Sequence, residues 1–180
     1  MKLKHVPNLL SAFRILLVPV FIIAYFVDTH PVKGIAVGIY AVAAFTDFLD
    51  GAIARRYNLI SNLGKVLDPL GDKMMMVAAL ACITIDGMLP PWIVFVVVAK
   101  ELTMGIGGVI IHRRAKAEIP PSNIFGKSAT VVSIAVCITL MLFPGIPTGC
   151  AAVFMGITIL LMFLALATYI RTYIAVMKKK

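Results

Sequence analysis

Six apolar runs, each close to the length needed to cross a bilayer, leave this chain few folds to choose from. They cover roughly 9–27, 34–56, 68–86, 91–112, 125–143 and 149–176. A helix needs about 20 predominantly apolar residues to traverse the hydrocarbon core. The connections, such as "DTHPVKG", "DGMLPP" and "FPGIPTG", are short and rich in turn residues. No linker, repeat or low-complexity stretch interrupts the series, so the chain reads as one domain over 1–180. Composition agrees, since 61% of the residues are hydrophobic and only 14% charged. A soluble domain is closer to half apolar and a quarter charged, and this chain has too little polar surface to cover a globule in water. The expectation is an all-α, polytopic membrane protein with six transmembrane helices.

The basic residues set the orientation. Of the 17 lysines and arginines, all but Lys33 lie within a span or on one side. Lys2, Lys4 and Arg14 stand at the first span, and Arg55, Arg56, Lys65 and Lys73 flank the loop after the second. Arg113, Arg114, Lys116 and Lys127 flank the loop after the fourth, and Arg171 with Lys178, Lys179 and Lys180 follows the last. Cytoplasmic loops carry the excess of Lys and Arg, so both termini are expected in the cytoplasm. "MKLKH" followed by an apolar run could suggest a signal peptide. Arg14 interrupts the run and no small-residue cleavage site follows, so it reads as a retained first span. The net charge of +9 is therefore topogenic and attractive to anionic lipid headgroups. A single tryptophan and no aromatic–basic interleaving argue against nucleic acid. Cys82, Cys137 and Cys150 form no CxxC or Cys/His cluster, and no histidines stand at zinc-ligand spacing; the cysteines read as packing residues.

Against this background "DFLDGAIAR", residues 47–55, is anomalous. Asp47 and Asp50 fall in the last turns of the second span, and Asp68 and Asp72 open the third. The first pair is spaced i, i+3 and the second i, i+4, so each pair shares a helix face. All four carboxylates lie at one membrane depth, at the cytoplasmic end of neighbouring spans. Gly51, Ala54 and Gly64 beside them allow a backbone or a ligand to come close. Like charges raise one another's pKa, so four adjacent carboxylates need help to stay ionised. Two divalent cations provide it. All-oxygen ligands suit Mg²⁺ or Mn²⁺, and paired cations serve phosphoryl-transfer sites, with Arg55 placed to hold a phosphate bidentately. Two other readings stand beside this one. Membrane aspartates also cap helices, and Asp68 before Pro69 suits that role. A cation or proton transporter also uses carboxylates, although there they lie near the midplane on broken helices.

The stretch "DFLDGAIARRYNLISNLGKVLDPLGDK" resembles the signature of the CDP-alcohol phosphatidyltransferases, D-x2-D-G-x2-A-R-x8-G-x3-D-x3-D. Asp47, Asp50, Gly51, Ala54, Arg55, Gly64, Asp68 and Asp72 fill it without a gap. With a usage of roughly 5–8% for each residue, a chance match is on the order of 10⁻¹⁰ per start position. "VPNLLSAFRI" also resembles the family's Pro-Asn-x-Leu-Thr-x-x-Arg opening, with Ser11 in place of Thr. Gly71 stands where relatives often have Ala. The resemblance implies transfer of a phosphatidyl group from CDP-diacylglycerol to an alcohol, with release of CMP, by a homodimer in a bacterial cell membrane. It further implies that Asp47, Asp50, Asp68 and Asp72 ligate two Mg²⁺ or Mn²⁺ ions, and that Asp72 also deprotonates the acceptor hydroxyl. Asp50, Gly51, Ala54, Arg55 and Gly64 would contact the CDP moiety.

The expected acceptor is glycerol 3-phosphate, whose phosphate needs cations. Lys100, Arg113, Arg114 and Lys127 are the candidates, and Lys127 in "IFGKSAT" resembles a basic position bordering the acceptor pocket in the branch that uses this substrate. Arg113 and Arg114 also suit a topogenic role. Lys100 and Glu101 lie deep in the fourth span, where charges need partners. Adjacent helix positions do not face one another, so those partners are expected on other spans. That branch usually has Arg-Glu at this point and another arginine two turns later, whereas this chain has Lys100-Glu101 and Gly108. A less charged pocket opened by Gly105, Gly107 and Gly108 would instead take phosphatidylglycerol and make cardiolipin. Those glycines also suit close helix packing.

Overall fold

The computed structural model describes the backbone of residues 6–57, 64–115 and 124–178, and the side chains of 12–47, 71, 73–107 and 124–171. Six helices follow one another: α1 (Val6–Val27), α2 (Gly34–Tyr57), α3 (Gly64–Ile85), α4 (Pro91–Ala115), α5 (Ile124–Leu142) and α6 (Thr148–Lys178). No strand occurs among the described residues. The helices lie within a few residues of the six apolar runs. The largest difference is at α3, which starts at Gly64 rather than at Asp68. Hydropathy does not resolve where backbone bonding begins, so the turn "GKVL" was left outside the expected span. Asp68 is consequently the fifth residue of α3 and does not cap it.

The helices group into two compact units, Met1–Met88 with Cys137–Ile146 and Leu89–Val136 with Pro147–Lys180. In the first, α1 packs against both α2 and α3, and α2 meets α3. The buried face of α1 carries Arg14, Val18, Phe21 and Tyr25, at the alternating three- and four-residue spacing of one helix stripe. Ala36, Tyr40 and Ala43 form the matching stripe on α2, and Met75, Ala78, Ala79, Cys82 and Ile83 that on α3. The ring of Phe21 lies 6.0 Å from that of Tyr25 and 5.8 Å from that of Tyr40, within the range at which tilted aromatic pairs attract. One end of the unit is tied by polar contacts. Tyr25 donates its hydroxyl to Asp86 Oδ2 at 2.9 Å. Lys33 donates Nζ to the Asp28 carbonyl at 2.8 Å and lies 5.2 Å from the centre of the Tyr25 ring. Gly87, with φ of 77°, makes the turn that follows α3 and uses the left-handed region that glycine enters without strain.

In the second unit α4 packs against α6. Ile93 and Val97 are buried on α4, and Ala151, Met155, Thr158, Met162 and Ala165 on α6. The Thr158 hydroxyl returns to the Phe154 carbonyl, a local bond that lets a polar residue sit in an apolar interface.

The outward surfaces are apolar. Phe13, Leu16, Val20, Ile23 and Val27 are exposed along α1, and Val153, Phe154, Ile157, Leu160 and Phe163 along α6. Continuous apolar surface of this extent is foreign to a protein in water. Among the described residues, Ile124–Leu142 and Thr148–Arg171 are long and apolar enough to cross a membrane. Shorter apolar helical stretches run Ala12–Val27, Gly34–Asp47 and Lys73–Ile85. The chain is a helical membrane protein.

Candidate functional site

The end of the first unit away from Tyr25 and Asp86 holds the aspartate-bearing turns. On α2 the buried positions 36, 40 and 43 continue at the same spacing to 47, 50 and 54. On α3 the buried positions 71, 75, 78 and 82 extend back to 68 and 64. The backbone register therefore runs the apolar stripes of two contacting helices directly into motif positions. Asp47 is the motif aspartate whose side chain is described. The side chains of Asp50, Gly51, Ala54, Arg55, Gly64, Asp68 and Asp72 lie outside the described residues, as do those of Arg113 and Arg114.

The best-defined contact at this end involves a residue that sequence reasoning placed in the topogenic set and in the Pro-Asn-x-Leu-Ser-x-x-Arg opening, with no site role. Arg14 is 1% exposed, and its Nη1 lies 3.2 Å from Asp47 Oδ1, whose side chain remains 39% exposed. The same guanidinium rests on α3. A Cβ built at Gly71 would lie 3.5 Å from Ile15 Cγ1, 3.6 Å from Arg14 Cδ and 3.8 Å from Arg14 Nη1. Two signals were available in the sequence. Arg14 ends the Pro-Asn-x-Leu-Ser-x-x-Arg opening, and it falls four residues before Val18 on the buried stripe of α1. A charge on the core side of a membrane helix is a functional candidate before it is a topological one.

The Gly71 distances are ordinary van der Waals contacts, so this glycine is not required for close approach. Gly71→Ala is expected to leave the fold intact and raise its stability by up to about 1 kcal/mol, the usual helix advantage of alanine over glycine. Thermal unfolding in detergent would check this; a fall of several degrees would mean that Arg14 and Ile15 cannot accommodate the methyl.

The acceptor candidates lie in the second unit. Lys100 and Glu101, adjacent on one helix, meet each other: Lys100 Nζ lies 2.7 Å from Glu101 Oε1, with side chains 9% and 10% exposed. Adjacent positions diverge on a helix, but both border the buried face that carries Ile93 and Val97, and their long side chains bend toward one another. Lys127, the fourth residue of α5, is exposed. A Cβ added at Gly105 or Gly107 meets no described atom within 4 Å, so neither glycine serves a close helix contact among the described residues.

The family model described as CDP-alcohol phosphatidyltransferase matches residues 4–174. A Bacillus subtilis protein named CDP-diacylglycerol–glycerol-3-phosphate 3-phosphatidyltransferase is 31% identical over 150 residues, covering 77% of each chain. A Mycobacterium tuberculosis protein named probable phosphatidylglycerophosphate synthase is 31% identical over 146 residues, or 79% of this chain and 68% of the relative. A Streptomyces coelicolor protein named cardiolipin synthase (CMP-forming) is 37% identical over 128 residues, 69% of this chain and 59% of the relative.

Proposed function

This chain belongs to the CDP-alcohol phosphatidyltransferase family, and from that premise we propose that it transfers the phosphatidyl group of CDP-diacylglycerol to glycerol 3-phosphate and releases CMP. The observation that carries the proposal is the complete eight-residue motif, from Asp47 to Asp72, on two helices that pack together. The relatives from Bacillus subtilis and Mycobacterium tuberculosis, both named for glycerophosphate chemistry, support the acceptor.

In this reading the acceptor hydroxyl oxygen attacks the phosphatidyl phosphorus as the bond from that phosphorus to the CMP oxygen breaks. Asp72 takes the hydroxyl proton. Asp50, Gly51, Ala54, Arg55 and Gly64 hold the CDP portion, with the Arg55 guanidinium suited to a phosphate by its planar fork. The all-oxygen donor set of Asp47, Asp50, Asp68 and Asp72 fits two Mg²⁺ or Mn²⁺ ions, and the half-exposed Asp47 carboxylate has an oxygen to offer. When bound, such ions neutralise charge on the pyrophosphate and on departing CMP. Lys127, assisted by Lys100, Arg113 and Arg114, receives the acceptor phosphate. The chain works as a single catalytic domain with six membrane spans and both termini in the cytoplasm, where its water-soluble acceptor is found. It acts as a homodimer in a bacterial cell membrane.

Phosphatidylglycerol is the second acceptor to consider. The pairing of Lys100 with Glu101 lowers the positive charge available for a phosphate, and one relative is named a cardiolipin synthase. Purified protein supplied with CDP-diacylglycerol, Mg²⁺ and separate acceptors is expected to release CMP with glycerol 3-phosphate. Lys127→Ala is expected to raise the KM for that acceptor about tenfold, the loss of one charge-assisted contact of about 1.5 kcal/mol. CMP release with phosphatidylglycerol alone would transfer the assignment to cardiolipin synthesis. No release with any alcohol would overturn it and favour cation transport.

A further inference from the structure

A residue from a third helix reaches the motif at Asp47. Arg14 is rooted in α1, bonded to Asp47 of α2 at 3.2 Å and packed over Gly71 of α3. Gly71 immediately precedes Asp72, and Asp68 lies three residues before it on the same helix. One buried guanidinium thus bonds to α2 and lies within reach of a side chain at position 71 of α3.

The exposures of the two partners differ sharply, 1% for Arg14 and 39% for Asp47. A surface ion pair would leave both groups in water and contribute little. Here the cation is enclosed by the core and the anion stands at its edge. Removing a guanidinium from water is costly, and such placement is retained when the charge acts on something specific. Among the described contacts it acts on the orientation of the Asp47 carboxylate. Held through Oδ1 from the buried side, Asp47 cannot rotate freely, and its second oxygen is directed by the first. Arg14 also offsets one of the four motif charges, which lessens their mutual repulsion before any cation arrives.

We propose that Arg14 is a positioning residue of the metal site: it clamps Asp47 by Oδ1 and presents the remaining carboxylate oxygen to a divalent cation. This rests on the assignment of the motif aspartates as metal ligands. Groups that orient ligands from behind commonly alter metal affinity by about 10–100-fold when removed. The planar guanidinium suits this task better than an ammonium, which is a point charge on a flexible stem.

The test measures Mn²⁺ binding to purified full-length protein in detergent, without substrate, from the free-Mn²⁺ paramagnetic signal. Arg14→Met is expected to weaken binding about tenfold or more. Its CMP release should need correspondingly more Mn²⁺ and return toward the wild-type rate at saturation. A purely structural role would lower the unfolding temperature without moving Mn²⁺ affinity in the folded range. Unchanged or tighter Mn²⁺ binding by Arg14→Met would overturn the positioning role. Should Arg14→Met fail to fold, Arg14→Lys, which keeps the buried charge, is expected to bind Mn²⁺ about tenfold more weakly, the lower end of the same range. Wild-type affinity in that variant would overturn the proposal. Wild-type protein that binds no Mn²⁺ would instead overturn the metal assignment, and this inference with it.

Discussion

Asp72→Asn is expected to reduce CMP release by about 10³-fold or more while CDP-diacylglycerol binding stays detectable. Asparagine keeps the size of the side chain and one coordinating oxygen, but it cannot take a proton. General-base catalysis contributes about 10²–10⁴-fold, and weakened metal binding adds to the loss. The donor's contacts, proposed for Asp50, Gly51, Ala54, Arg55 and Gly64, are spread over the remainder of the motif and survive the substitution. Initial rates at saturating acceptor, measured beside direct binding of CDP-diacylglycerol, separate the two effects. Turnover within a few-fold of wild type would reject Asp72 as the base. Simultaneous loss of binding and turnover would assign it to donor binding instead.

Stripping divalent cations is the second large effect. With a chelator, CMP release should fall by about 10³-fold or more, as expected when several kcal/mol of charge stabilisation are withdrawn at 1.36 kcal/mol per decade. Mg²⁺ or Mn²⁺ added back should restore it. The proposed cause is electrostatic: in this reading the displaced bond joins two anionic phosphates beside four carboxylates, and Arg14 and Arg55 would offset only part of that charge. If the motif aspartates hold cations as proposed, Mn²⁺ should also raise the unfolding temperature in a concentration-dependent way. Asp50→Asn should blunt both responses. Turnover that persists in chelator would exclude the metal-dependent reaction.

Much of the fold was legible because lipid imposes a simple rule. Backbone groups in hydrocarbon must bond internally, so length and hydropathy alone mark the helices, and all six lie close to the apolar runs. The rule loses resolution at polar ends. It placed the start of the third helix at Asp68, one turn beyond its actual start at Gly64, since the turn "GKVL" bonds as a helix without being uniformly apolar. The motif was legible for a related reason. Spacings of three and four residues bring side chains to one face wherever a helix forms, so the pairing of Asp47 with Asp50, and of Asp68 with Asp72, needs no knowledge of neighbouring helices.

Contacts that depend on how helices meet were not legible. Lys100 and Glu101 looked mutually inaccessible from their spacing, yet two long side chains at the border of one buried face close the gap at 2.7 Å. Arg14 counted as a topogenic charge and as the end of the Pro-Asn-x-Leu-Ser-x-x-Arg opening, with nothing to say which residue it meets. By itself the sequence determined the helical membrane class, the family and the eight motif positions, because these follow from local periodicity and residue identity. Only the tertiary structure decided that Arg14 turns inward to Asp47 and covers Gly71. That contact joins residues 33 and 57 positions apart, and its geometry exists only once α1 has packed against both α2 and α3.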